Sequence, residues 1–99
     1  MNRQIRWLVE AEETFKQNIE YLSIDWDDKT LHKFLDKVER VLSEIRENPA
    51  TFSIYRTKGN VRKAVINKRI ALFYRIIDEN IIELLTFWNS YRDPDNLKL

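Results

Sequence analysis

The chain has 99 residues, 43% hydrophobic and 33% charged, with one glycine, two prolines and no cysteine. That excludes collagen-like, low-complexity and disordered chains, and with them disulfide scaffolds, cysteine zinc sites and thiol catalysis. The net charge of +1 gives little general attraction to polyanions, and no run approaches the roughly 18 apolar residues of a membrane span. A chain of this size supports one core, so a single domain over residues 1–99 is expected. Charges throughout MNRQIRWLVEAEETF leave no apolar signal core, so the expected location is cytoplasmic.

Gln4–Leu8 alternates Ile5 and Trp7 with polar residues and fits a short opening strand. Leu8, Ala11, Phe15, Ile19 and Leu22 then recur at three- and four-residue steps, the stripe of an amphipathic helix. Asp25-Trp26-Asp27-Asp28 breaks that period, and an Asp there suits the free amides and positive end of a new helix. In the second helix Leu31, Phe34, Leu35, Val38, Val41, Leu42 and Ile45 share one face. Asn48-Pro49 ends it, because proline disfavours helical geometry in the residue before it.

Residues 50–60 read as a loop holding the only glycine, Gly59. Val61–Asn67, Ile70–Ile77 and Ile81–Trp88 are rich in Val, Ile, Phe, Tyr and Trp and predict three strands. Asn67-Lys68-Arg69 and Asp78-Glu79-Asn80 are short enough to be hairpin connectors, so an antiparallel meander is expected. The nearly continuous apolar run IALFYRII suits a central strand covered by the helices. SYRDPDNLKL reads as a polar tail. Together these predict an α+β fold with both helices on one sheet face.

Charge is unevenly spread. Residues 1–50 carry 8 basic and 11 acidic side chains, and residues 51–99 carry 9 and 5. Seven cations and no acid lie between Arg56 and Ile77, a local field able to attract phosphate or an acidic partner. The only histidine, His32, falls beside the apolar face of the second helix, where a solvated side chain is expected. The four serines lack a nucleophile motif. Asp25, Asp27 and Asp28 lack the calcium-loop pattern and read as caps. Trp7, Trp26, Trp88, Tyr21 and Tyr74 are expected as core or rim aromatics.

Short matches run the length of the chain: Glu20-Tyr21-Leu22 and Trp26, Lys33-Phe34-Leu35-Asp36-Lys37-Val38, Asn48-Pro49 with Phe52, and Val61-Arg62-Lys63 after Gly59. Leu72-Phe73-Tyr74-Arg75-Ile76, Phe87-Trp88 and Arg92-Asp93-Pro94 complete the series. In this order and spacing the chain resembles the RelE/ParE family of type II toxin–antitoxin toxins, in particular the plasmid stabilisation branch. The resemblance implies a β-α-α-β-β-β fold, with two helices on one face of a mainly antiparallel sheet. It also implies a growth inhibitor neutralised by a cognate antitoxin protein, with no cofactor, no metal and no membrane partner. Such an antitoxin would cover an apolar patch exposed on the free chain.

One branch of that family cleaves mRNA on the ribosome and another poisons DNA gyrase. The ribonuclease branch places an Arg three positions before the central-strand Tyr, where this chain has Ala71, and a second catalytic tyrosine is not evident. The chain therefore reads as ParE-like, a binding inhibitor of a target such as gyrase. The alternatives are a ribosome-dependent mRNA endoribonuclease or a non-toxic remnant that only binds its antitoxin. Arg62, Lys63, Arg75 and Arg92 are the expected target contacts, with Tyr91 as a further candidate. In the ribonuclease alternative, Arg62 or Lys63 would hold the scissile phosphate with Arg92, and Tyr91 would transfer a proton. Strand alternation puts Arg62 and Lys63 on opposite faces. Arg75 is equally readable as structural, paired with a helix acid.

Overall fold

A computed structural model describes residues 3–25, 27–91, 97 and 99. In chain order the elements are β1 (Gln4–Trp7), α1 (Val9–Asp25), α2 (Asp28–Glu47), a 3-10 turn (Pro49–Thr51), β2 (Ser53–Arg56), β3 (Val61–Val65), β4 (Ile70–Ile76) and β5 (Ile81–Asn89). The five strands form one sheet in the order β1-β5-β4-β3-β2. β1 runs parallel to β5 and the other pairs are antiparallel. The α+β fold, the opening strand and the meander agree with the sequence pattern.

Local chemistry places the ends of these elements. Asp27 caps α2, its carboxylate accepting from the Thr30 amide at 3.0 Å. Hydrogen bonds from the Thr30 backbone and hydroxyl hold the Asp27 carboxyl below its ordinary range. At the far end of α2, Arg3 donates to the carbonyls of Arg46 and Glu47, both at 2.7 Å, and to Glu79 at 3.0 Å. It thereby satisfies helix-terminal acceptors and ties β1 to the β4–β5 turn. Asn67 and Asp78 each accept two backbone amides in their own turns, which fixes the two hairpins.

Residues 50–60 are not the simple loop expected. Ser53–Arg56 adds a fifth strand on the edge beside β3, with a register irregularity between Ile54 and Arg56. Its residues are exposed or half-buried on both faces. No apolar alternation marks it, and only backbone pairing makes it a strand. Gly59 and Asn60 follow with φ of 79° and 54° in a tight turn, a conformation open to glycine and tolerated by asparagine. Ile54, Tyr55 and Val65 are large apolar side chains left exposed at this edge.

The main core lies between the helices and one face of the sheet. Phe34, Val38, Val41 and Ile45 of α2 pack with Ala64, Leu72, Tyr74, Leu84 and Phe87. The half-buried Trp7 and Phe15 pack against buried Phe87, the three rings making stacked, edge-on and tilted contacts with centroid separations of 5.2–5.5 Å. A smaller cluster occupies the opposite face: Val61, Ala71 and Phe73, flanked by Leu85 and Trp88. Leu97 and Leu99 pack against it, and Arg56 donates to the Leu99 carbonyl at 2.7 Å. At these two leucines the segment expected to be a polar tail is apolar and folded back. Trp26 lies outside the described residues. No helix among the described residues is long and apolar enough to cross a membrane.

Tyr74 links the central strand to the 3-10 turn. It is fully buried, and its hydroxyl donates to the Pro49 carbonyl at 2.6 Å. Burial pushes its phenol up to about 12, against the opposing pull of the nearby Arg62 charge. An unfolded tyrosine ionises near pH 10, so folding favours the neutral form and this contribution is intact below pH 10. As pH rises from 10 to 12 the unfolded chain alone ionises, and stability falls by roughly 2–3 kcal/mol. Denaturant unfolding across that window should show the fall in the parent chain and lose it in Tyr74→Phe. An identical slope in both would contradict the assignment.

Candidate functional site

The face of the sheet opposite the helices carries the most chemically distinctive surface. Phe73 is buried at its centre. Tyr55 meets the Phe73 ring edge-on, with centroids 4.8 Å apart. Lys63, opposite Phe73 in the register, holds its ammonium 5.9 Å from the same ring, within reach of a cation–π attraction. A depression of about 200 Å³ opens beside them. Lys63, Lys68 and Arg69 supply its charge, and Tyr55, Phe73 and Trp88 its aromatic surface. No carboxylate or imidazole is found among its described lining residues.

β3 and the β3–β4 turn position these cations. The alternation of β3 sends Val61, Lys63 and Val65 to the open face and Arg62 and Ala64 to the helix side. The Asn67 carboxamide accepts from the amides of Arg69 and Ile70 at 2.8 and 2.9 Å, which sets the turn. Arg69 donates to the Tyr21 hydroxyl at 2.9 Å and lies 4.6 Å from the centroid of the Tyr91 ring. Tyr91 is 63% exposed, and its amide donates to the Asn89 side chain.

The candidates from the sequence do not converge on one place. Arg62 faces the helices, as expected from alternation, and donates to the carbonyls of Ala50 and Phe52 at 3.2 and 2.7 Å. It clamps the 3-10 turn onto β3. Arg75 lies on the open face but is ion-paired with Glu83, its cross-strand neighbour on β5. The expected helix acid is not its partner, because alternation turns Arg75 away from both helices. The Nε atoms of Arg62 and Arg75 are buried without a hydrogen-bond partner among the described residues. Tyr91 stands over Arg69 and does not line the depression that holds Lys63. Arg92 lies outside the described residues. His32 is exposed on α2.

Three contributors were not singled out from the sequence. Lys68 and Arg69 belonged to the basic run but sat in a segment read only as a connector. Tyr55 sat in the stretch read as a loop. The basic run was the available signal, and the turn that aims two of its members at the open face was not legible in it.

The cations can hold carboxylate or phosphate oxygens by charge-assisted hydrogen bonds, while the aromatic surface supplies contact area. Abstraction of a proton needs a positioned base. Among the described residues lining the depression, neither a carboxylate nor an imidazole offers one. Nor does any group of described side chains form a cluster suited to a metal ion.

A family model described as the ParE toxin of type II toxin–antitoxin systems, parDE, matches residues 5–94. No curated protein sequence matches the chain significantly. Among solved structures, the chain is similar to the chromosomal ParDE system from P. aeruginosa, with TM-score 0.70 and 9% identity over 88% of this chain and 95% of that one. It is also similar to a chain of the E. coli DinJ–YafQ toxin–antitoxin complex, with TM-score 0.64 and 11% identity over 94% and 98%. A third likeness is to the YoeB dimer from Staphylococcus aureus, with TM-score 0.62 and 21% identity over 89% and 97%. At these identities the likeness establishes a shared fold.

Proposed function

The chain belongs to the ParE toxin family of type II toxin–antitoxin systems, and from that premise we propose that it arrests growth by binding a cellular target through the open face of its sheet. DNA gyrase is the target this reading favours, and a cognate antitoxin neutralises the toxin. The antitoxin part is supported by fold neighbours solved as toxin–antitoxin complexes, DinJ–YafQ and YoeB–YefM. The observation that carries the reading is the depression beside Phe73: three cations and three aromatics, with no carboxylate or imidazole among the described lining residues. That chemistry suits holding an anionic or polar surface better than activating a ribose hydroxyl.

Lys63 is assigned target contact, with Lys68 and Arg69 beside it. Arg62 and Arg75 are assigned to scaffolding, since carbonyls hold one guanidinium and Glu83 the other. Arg92 and Tyr91 keep the contact role that the family resemblance gives them, Tyr91 through its stack on Arg69.

Labelled-methionine incorporation after inducing the chain in bacteria without its antitoxin tests this. Protein synthesis is expected to continue in the first minutes while division stops. A prompt collapse of synthesis would overturn the reading in favour of mRNA cleavage. Undisturbed growth would overturn it in favour of a remnant that only binds its antitoxin.

A further inference from the structure

A sheet face that carries no helices leaves its side chains open to water. Yet on that face Val61, Ala71 and Phe73 are 0%, 8% and 1% exposed. Neighbouring strands account for part of this. Lys63 and Val65 stand opposite Phe73 and Ala71 in the register, and Trp88 flanks Ala71 on its other side. A further part comes from outside the sheet, because Leu97 and Leu99 pack against the same cluster. Side chains two positions apart share one side of an extended backbone, so both can meet one surface.

Arg56 receives them. Its Nε donates to the Lys58 carbonyl at 2.9 Å, which sets the guanidinium within its own turn. Its Nη1 donates to the Leu99 backbone oxygen at 2.7 Å. The hold is light. Both leucines are half-buried and belong to no strand. Beneath them β4 is paired along both sides. Contacts of the first kind open at far less cost than the domain unfolds.

The place they cover is the one that matters for binding. Leu97 lines the depression that Lys63, Lys68 and Arg69 charge. The two leucines therefore sit on the apolar side of the target-contact surface, with exposed Tyr55 and Val65 at its rim.

We propose that Leu97 and Leu99 are an internal competitor for the target. They occupy part of the surface by which the target is bound, and they leave when that contact is made. The segment that replaces them has their chemistry: an extended stretch of protein with two apolar side chains two positions apart and a backbone oxygen for Arg56. Competition with the target rests on the open-face binding proposed above; the seat for such a segment does not.

The full chain carrying Leu97→Ser and Leu99→Ser vacates the seat, and a synthetic peptide matching residues 95–99 refills it. Amide shifts of the isotope-labelled chain are the readout. The peptide is expected to shift Val61, Lys63, Ala71 and Phe73 in the double variant. It should bind the parent at least about tenfold more weakly, because there the seat is filled. Leu97→Met with Leu99→Met keeps the cover and should match the parent. Leu99→Ser alone, the milder change, should fall between. In a supercoiling assay the double variant should inhibit DNA gyrase at about one tenth of the concentration the parent needs. Absence of shifts at millimolar peptide, or equal affinity for parent and double variant, would overturn the proposal. Equal or weaker gyrase inhibition by the double variant would overturn it as well. Peptide binding as expected, with no gyrase inhibition by either chain, would uphold the seat and refute the gyrase reading alone.

Discussion

Replacing Asn18 with leucine is expected to remove about 2–4 kcal/mol of folding stability, because the buried Phe87 carbonyl loses its side-chain donor and Asn89 loses one of its acceptors. β1 ends at Trp7, opposite Leu84, while β5 continues to Asn89. Beyond Leu84 the outer edge of β5 has no strand beside it among the described residues, and its backbone groups need other partners. Two polar residues of α1 supply them. The Thr14 hydroxyl accepts from the Phe87 amide at 2.9 Å, and the Asn18 amide donates to the Phe87 carbonyl at 3.0 Å. Asn18 also accepts from the Asn89 side chain at 3.0 Å and is only 2% exposed.

Leucine fills a similar volume, so the loss is one of hydrogen bonding rather than of packing. Each such loss costs about 1–3 kcal/mol. A domain of this size has about 5–15 kcal/mol in total, so the variant should unfold at markedly lower denaturant. Urea unfolding followed by tryptophan fluorescence measures it. Gln17→Leu, one residue away and exposed, should change stability by no more than about 0.5 kcal/mol. A loss under about 1 kcal/mol for Asn18→Leu would show that α1 is not what closes the β5 edge.

The second large effect is functional. Lys63→Glu should abolish growth arrest while leaving the fold and antitoxin binding intact. Lys63 is exposed, so its charge can be reversed without burying an unpaired group. The three cations of the open-face depression would then sum to +1 instead of +3. Reversing a charge at a complementary interface opposes the partner as well as removing an attraction, and the expected loss is at least about tenfold to hundredfold in target affinity. Growth after induction and co-purification with the antitoxin are the two readouts. Full growth arrest in the variant would remove Lys63 from the contact surface. Loss of antitoxin binding together with arrest would mean that the substitution had damaged the whole domain.

How far the fold was legible in the chain follows from what each element buries. α2 presents one continuous apolar face, and β4 is nearly all apolar because both its sides are covered. Those patterns survive in one dimension. β2 buries neither face, so Ser53–Arg56 looks like a loop until its backbone pairs with β3. Thr14 and Asn18 look like ordinary polar helix residues, since the strand edge they complete lies about seventy positions away. Leu97 and Leu99 are isolated apolar residues in a polar stretch, and the cluster that receives them belongs to three different strands.

The candidate site was legible as a composition and not as a place. The basic run from Arg56 to Ile77 does supply the cations of the open face. Alternation separated Arg62 from Lys63 correctly, but which side each would serve depended on where the helices lie. Arg75 reads equally as a target contact or as the partner of a helix acid until the β4–β5 register sets Glu83 opposite it. Lys68 and Arg69 acquire their position from a turn that Asn67 closes with two backbone hydrogen bonds.

Gyrase binding through the open face is the action proposed for this ParE-family toxin. A supercoiling assay with purified bacterial DNA gyrase, relaxed plasmid and increasing amounts of the full chain puts it to the test most directly. Supercoiling should stop as the chain is added, Lys63→Glu should be ineffective at the same concentrations, and prior mixing with the antitoxin should restore the activity. Undiminished supercoiling at concentrations that arrest growing cells would contradict it.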